Sequence, residues 1–170
     1  MADLTFNTNA GEVVERKLLI LYLNTGTPAS PIWSAIGKRV EESSMEFDWS
    51  EESKKDIFGI TYTNMADPII TQTFDPCELD AGDAAQVKLW NLAIKDHNYA
   101  ALTNQDMLCV HAYAGASATP FAERYTGCMV KPSGLGGGGN NGMPIDVTFG
   151  GERTTGTATT AAGVVTFTED

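Results

Sequence analysis

The stretch FDWSEESKKDIFGITY, Phe47 to Tyr62, alternates apolar and polar residues, turns charged, then alternates again. A two-residue period is the mark of a strand with two unlike faces. It predicts a long hairpin over residues 45–63. On the outgoing arm Met45, Phe47 and Trp49 share one side, and Glu46, Asp48 and Ser50 the other. The charged run Glu51–Lys55 forms the bend. On the return arm Phe58, Ile60 and Tyr62 alternate with Ile57, Gly59 and Thr61. The large side chains Phe47, Trp49, Phe58 and Tyr62 then belong either to the chain's own core or to a contact between copies.

Other strands follow from apolar runs bounded by Gly, Pro and Asn. They are Lys17–Leu23, buried on both faces, a short one at Ile32–Ile36, IITQTF at 69–74, Met107–Ala114 and Arg124–Lys131. MPIDVTFGGERTTGTATT contains a strand, a Gly-Gly turn and a Thr-rich strand, and VVTFTED ends the chain. One segment, residues 83–97, has helical spacing. Asp83 caps its start with Gln86 three residues on, as in a capping box, and Asn98 suits its end. Val87, Trp90, Ala93, Ile94 and His97 form its apolar face. One helix covers a face or edge of a β structure and cannot make a helical domain.

These patterns predict a mainly β fold: a β-sandwich or barrel with one flanking α-helix, the long hairpin, and extended N- and C-terminal arms. It is read as a single domain over 1–170, with the N-terminal arm at 1–16 and a mobile Gly-rich loop at 132–142. A chain of 170 residues buries roughly 70% of its unfolded surface, enough for a real core.

Charge narrows the partners. The formal net charge is −11, with 22 acidic and 11 basic residues. Nucleic-acid binders rely on basic patches that meet phosphate, so this surface repels nucleic acid and anionic lipid. The longest apolar run, LLILYL, is too short to cross a bilayer, and the first residues lack the pattern of a secretory signal. Neither a membrane nor export by a cleaved signal is expected.

Candidate chemistry is sparse. Cys77, Cys109 and Cys128 are too few and too scattered for a disulfide framework or a zinc motif, and read as buried small hydrophobes. The two histidines, His97 and His111, lack a His-x-x-x-His type partner. Gly136–Gly139 is not a phosphate loop, because no Gly-Lys-Ser/Thr follows. The pairs Glu41–Glu42 and Glu51–Glu52 and the run Glu78–Asp83 read as solvated faces. No Gly-x-Ser-x-Gly elbow is present. The expectation is no enzyme, no catalytic residue, no cofactor and no metal.

The order of parts carries a resemblance. A polar arm and a buried strand are followed by PIWSAIGKRVEES, the aromatic segment WSEESKKDIFG, DIFGITYT, two Asp-Pro pairs, a helix with Trp90, and a late IDVTFGGERTTGT. This combination resembles the major tail (tail tube) proteins of long-tailed bacteriophages, a fold shared with the type VI secretion tube, over roughly residues 10–168. The resemblance implies six copies closing into a ring and rings stacking into a hollow tube that conducts DNA from capsid to host cell. It implies tape-measure, tail-terminator and tail-tip or baseplate initiator proteins as partners. It implies genomic DNA sliding through an acidic lumen without specific binding. The setting is the virion tail, assembled in the host bacterial cytoplasm. Phe47, Trp49, Phe58, Tyr62, Glu51, Glu52, Lys54 and Lys55 are the inter-subunit candidates. Two alternatives stay open. One is another phage structural subunit, a head decoration or a tail-terminator-like protein. The other is a monomeric β-sandwich module that binds carbohydrate or protein.

Overall fold

A computed structural model describes residues 3–170. The fold is mainly β, as expected. Eleven strands follow the chain: β1 Leu19–Asn24, β2 Trp33–Ala35, β3 Met45–Asp48, β4 Glu52–Lys55, β5 Thr61–Asn64, β6 Ile69–Phe74, β7 Gln105–Ala116, β8 Thr119–Pro132, β9 Ile145–Thr148, β10 Arg153–Ala161 and β11 Val164–Glu169. Between β6 and β7 lie helix α1, Ala84–Trp90, which widens into a π-type segment at Asn91–Lys95, and a short helix α2, Tyr99–Leu102.

The long strand β8 belongs to two sheets. Its first half, Phe121–Tyr125, pairs with β10, and its second half, Met129–Pro132, pairs with β9. One sheet therefore runs β2-β1-β7-β8-β10-β11, and the other runs β8-β9-β6-β3, antiparallel throughout. The chain crosses from the second sheet to the first at Gly150–Gly151, directly over Gly127 of β8. A Cβ on Gly127 would stand 2.8 Å from the Gly151 Cα. The Gly-Gly pair seen in the sequence is thus a backbone crossing that only glycine permits.

The main core lies between the two sheets and α1. It holds Leu21 and Leu23 of β1, Met107 and Cys109 of β7, Cys128 and Val130 of β8, Ile145 and Val147 of β9, with Ala85 and Leu89 of α1. The opposite face of the first sheet has its own cluster around Trp33, Leu108, Val110, Ala122, Ala158 and Val165. Beside it Arg124 holds Asp106 with two bonds of 2.9 and 2.7 Å and sits 5.7 Å from the Trp33 ring centroid. Asn24 completes this half-buried set by donating to Asp106 at 3.0 Å.

Several expectations are corrected. The hairpin predicted over 45–63 with its bend at Glu51–Lys55 is two separate things. β3 pairs with β6 as the edge of the second sheet, with Phe47 opposite Ile70. The hairpin proper is β4–β5, with Lys54 opposite Tyr62, so residues 52–55 are a strand. Its turn is Asp56–Ile60. The Asp56 carboxylate accepts from the Phe58 and Ile60 amides, both at 2.9 Å, and Gly59 takes φ 81°. An Asp that bonds its own turn and a Gly in the left-handed region outrank charge as turn signals.

The helix starts where expected, ends at Lys95 rather than 97, and turns the face of its first two turns. Asp83 caps α1 through the Gln86 amide at 3.1 Å. The Gln86 side chain does not return to Asp83; it is buried, accepts from the Asp80 amide at 2.8 Å and donates to the Glu78 carbonyl at 2.9 Å. Ala85 and Leu89 face the core, while Val87 and Trp90 are exposed. Asn98 caps α2, not the end of α1. The segment expected as a C-terminal arm is β11, paired with β10 from Val164 to Glu169. In the N-terminal arm Phe6 bridges to Ala114, and its ring packs edge-on to Tyr113 at 5.1 Å. The Gly-rich loop is pinned at its neck, where Gly136 and Gly142 exchange bonds of 3.0 and 2.7 Å.

Candidate functional site

From Glu46 to Asp67 every residue except Asp56 is exposed. Among the described residues, strands β4 and β5 pair only with each other. The segment carries six carboxylates and two lysines, yet also a run of large apolar groups. At the turn Ile57 is 95% and Phe58 82% exposed, followed by Ile60, Tyr62 and Met65. An isolated two-stranded hairpin is marginal in water, and an exposed edge strand invites pairing.

All eight predicted inter-subunit residues lie on this surface, but in two places. Phe47 and Trp49, 48% and 41% exposed, stack on each other at 6.1 Å on the edge of the second sheet. Glu52, Lys54, Lys55 and Tyr62 are on β4–β5, Glu51 just precedes it, and Phe58 is at its turn. Lys54 pairs with Glu52 at 2.9 Å on the hairpin surface. Such an exposed pair contributes little. The core option for Phe47, Trp49, Phe58 and Tyr62 is excluded within one copy.

Sequence reasoning missed Ile57 as part of the exposed turn, although Asp56-x-x-Gly59 marks it. It also missed a groove of about 580 Å³ between the helices and the Gly-rich loop, lined by Ile94, Tyr99, Leu102, Met129 and Leu135 among others. No local pattern reveals a groove whose two walls are about thirty residues apart. Trp90 and Val87, read as core, add an exposed apolar pair on α1.

The three cysteines are free and buried, as expected. Burial pushes Cys109 up to about 12, with the Glu123 charge adding to it, and Cys128 up to about 11. Both shifts oppose the low pKa of a reactive thiolate. Burial also opposes the charge on Glu123, but His111 and Arg153 more than offset it and lower that carboxyl. His97 contacts Tyr99 at 3.0 Å on the surface. His111 sits half-buried beside Cys109, Glu123 and Tyr113. Among the acidic runs, Lys38 lowers the Asp80 carboxyl through a 2.7 Å bond. Among the described residues no helix is long and apolar enough to cross a membrane.

No protein-family model matches the chain, and no curated protein matches it in sequence. Among solved structures, it is similar to a chain of the PVC sheath–tube complex of an extracellular contractile injection system in the extended state. The TM-score is 0.48 and identity 9%, over 87% of this chain and 94% of that one. It is similar to a chain of the anti-feeding prophage tube-terminating cap, with TM-score 0.47 and 13% identity over 89% and 96%. It is also similar to a chain of the PVC sheath/tube terminator in the extended state, with TM-score 0.48 and 9% identity over 86% and 99%.

Proposed function

We propose that this chain is a non-catalytic subunit of a phage tail or tail-like particle, assembled from copies of itself into rings that stack as a hollow tube. The observation that carries the reading is the hairpin. One copy leaves Ile57, Phe58, Ile60 and Tyr62 in water, and the same chain has an apolar groove elsewhere, at Ile94, Tyr99, Leu102 and Leu135. A projecting apolar element and a separate apolar recess make a head-to-tail contact, which closes into a ring or propagates. The sequence resemblance to tail tube proteins supplies the ring of six and the partners: tape measure, terminator and tail-tip initiator. The net charge of −11 suits a conduit, because a lumen that repels phosphate lets DNA slide.

The contact is tested by mixing two singly substituted chains, Phe58→Cys and Leu135→Cys, under mild oxidation. The reading expects disulfide-linked pairs of the two different chains, well above those formed when Thr166→Cys on β11 replaces Leu135→Cys. Equal yields would reject the hairpin-to-groove contact. Rings that close and never stack would move the assignment to a tail terminator.

A further inference from the structure

The first sheet holds a cluster that the assembly reading does not use. Cys109 and His111 are two residues apart on β7, so their side chains leave the same face. Glu123 of β8 stands directly opposite Cys109 in the strand register. The three converge. Cys109 Sγ is 3.6 Å from His111 Nε2, and the same nitrogen is 3.2 Å from Glu123 Oε2. All three ligand atoms lie within 4.8 Å of one another.

We propose that Cys109, His111 and Glu123 form a divalent-metal site, with zinc as the ion its donors favour. Zinc takes thiolate sulfur at about 2.3 Å and imidazole nitrogen at about 2.0–2.1 Å in a tetrahedron. Those lengths put the sulfur–nitrogen edge at roughly 3.5 Å and the nitrogen–oxygen edge at roughly 3.4 Å. The two contacts at His111 Nε2 already have nearly these lengths. One soft sulfur, one imidazole and one carboxylate select zinc over magnesium or calcium.

The supporting groups are in place. His111 Nδ1 meets the Tyr113 hydroxyl at 2.9 Å, which leaves Nε2 to face the metal. Arg153 binds the other carboxylate oxygen, Oε1, through its Nε at 2.9 Å and through Nη2, while Oε2 faces His111 and accepts a longer bond of 3.4 Å from the Tyr125 hydroxyl. Orienting partners of this kind fix a ligand's tautomer and direction. On binding, the Cys109 thiol gives its proton to solvent and sulfur takes up the metal bond. One thiolate and one carboxylate then balance the doubly charged ion, and water fills the fourth position. The metal would tie β7 to β8 beneath Phe6 of the N-terminal arm, which packs on Tyr113.

The test uses the full chain, stripped with chelator and titrated with cobalt(II) as a spectroscopic probe. The expected result is one equivalent bound, with a thiolate-to-cobalt charge-transfer band and the intense visible bands of tetrahedral cobalt. Cys109→Ser should abolish the charge-transfer band, while Cys128→Ser, at a buried cysteine outside the cluster, should keep it. Tyr113→Phe retains all three ligands and should weaken affinity about 10- to 100-fold at unchanged stoichiometry. Zinc absorption-edge spectroscopy on the unsubstituted protein needs no variant, and should show one sulfur among otherwise nitrogen and oxygen neighbours. A folded chain with no charge-transfer band at millimolar cobalt would overturn the site. So would a band that survives Cys109→Ser, or a zinc shell without sulfur.

Discussion

Two hairpins of this protein make opposite use of the same backbone pairing. β7–β8 is long, and its side chains are buried on both faces: Met107, Cys109 and Cys128 in one cluster, Leu108, Val110 and Ala122 in the other. β4–β5 is short, pairs with nothing else, and exposes its residues on both faces. The first is covered by its own chain and holds the monomer together. The second carries apolar side chains that its own chain leaves bare. A hydrophobic residue in an alternating pattern thus says that something will cover it, without saying whether that is the same molecule.

The comparison can be broken by substitution, and the effects on monomer stability should fall in order. Leu108→Ala removes a fully buried side chain and should cost about 2–5 kcal/mol, read from chemical denaturation. Asp83→Ala removes the α1 cap and should cost about 1 kcal/mol, seen as a lower midpoint with unchanged slope. Gly59→Ala strains a residue at φ 81° by about 1–2 kcal/mol. That strain should loosen the hairpin alone, as faster amide exchange between Glu52 and Asn64, and leave the global midpoint in place. The double change Ile57→Asp with Phe58→Asp should alter monomer stability by no more than about 0.5 kcal/mol. If it destabilised the monomer as much as Leu108→Ala, the two hairpins would not differ in the way described.

Legibility followed burial and sequence distance. Strand β6 was readable to the residue, because IITQTF is bounded by Pro68 and by Asp75-Pro76. The helix cap was readable from Asp83. The helix face was legible only in part: Val87 and Trp90 compete in the sequence with Ala85 and Leu89, and only tertiary packing chooses the second pair, while Ala93 and Ile94 pack against the core as expected. The partner of β3 was not readable either. Residues 45–62 are adjacent in sequence, so they suggested one hairpin, yet β3 finds β6 across an intervening hairpin. In the candidate site the exposed aromatics were legible as residues without a settled cover. The groove was hidden because its walls come from distant segments. The Cys109–His111–Glu123 cluster was hidden because its third member lies on the neighbouring strand, where a search for local ligand spacing does not look.

The central claim is that other copies of this chain cover the hairpin. It is tested most directly by electron microscopy of the unsubstituted protein and the Ile57→Asp, Phe58→Asp variant, side by side over a range of concentrations. The account predicts hollow rings or tubes of uniform width from the first. It predicts only folded monomers, with unchanged circular dichroism, from the second. Tubes of the same width and yield from both proteins would contradict it.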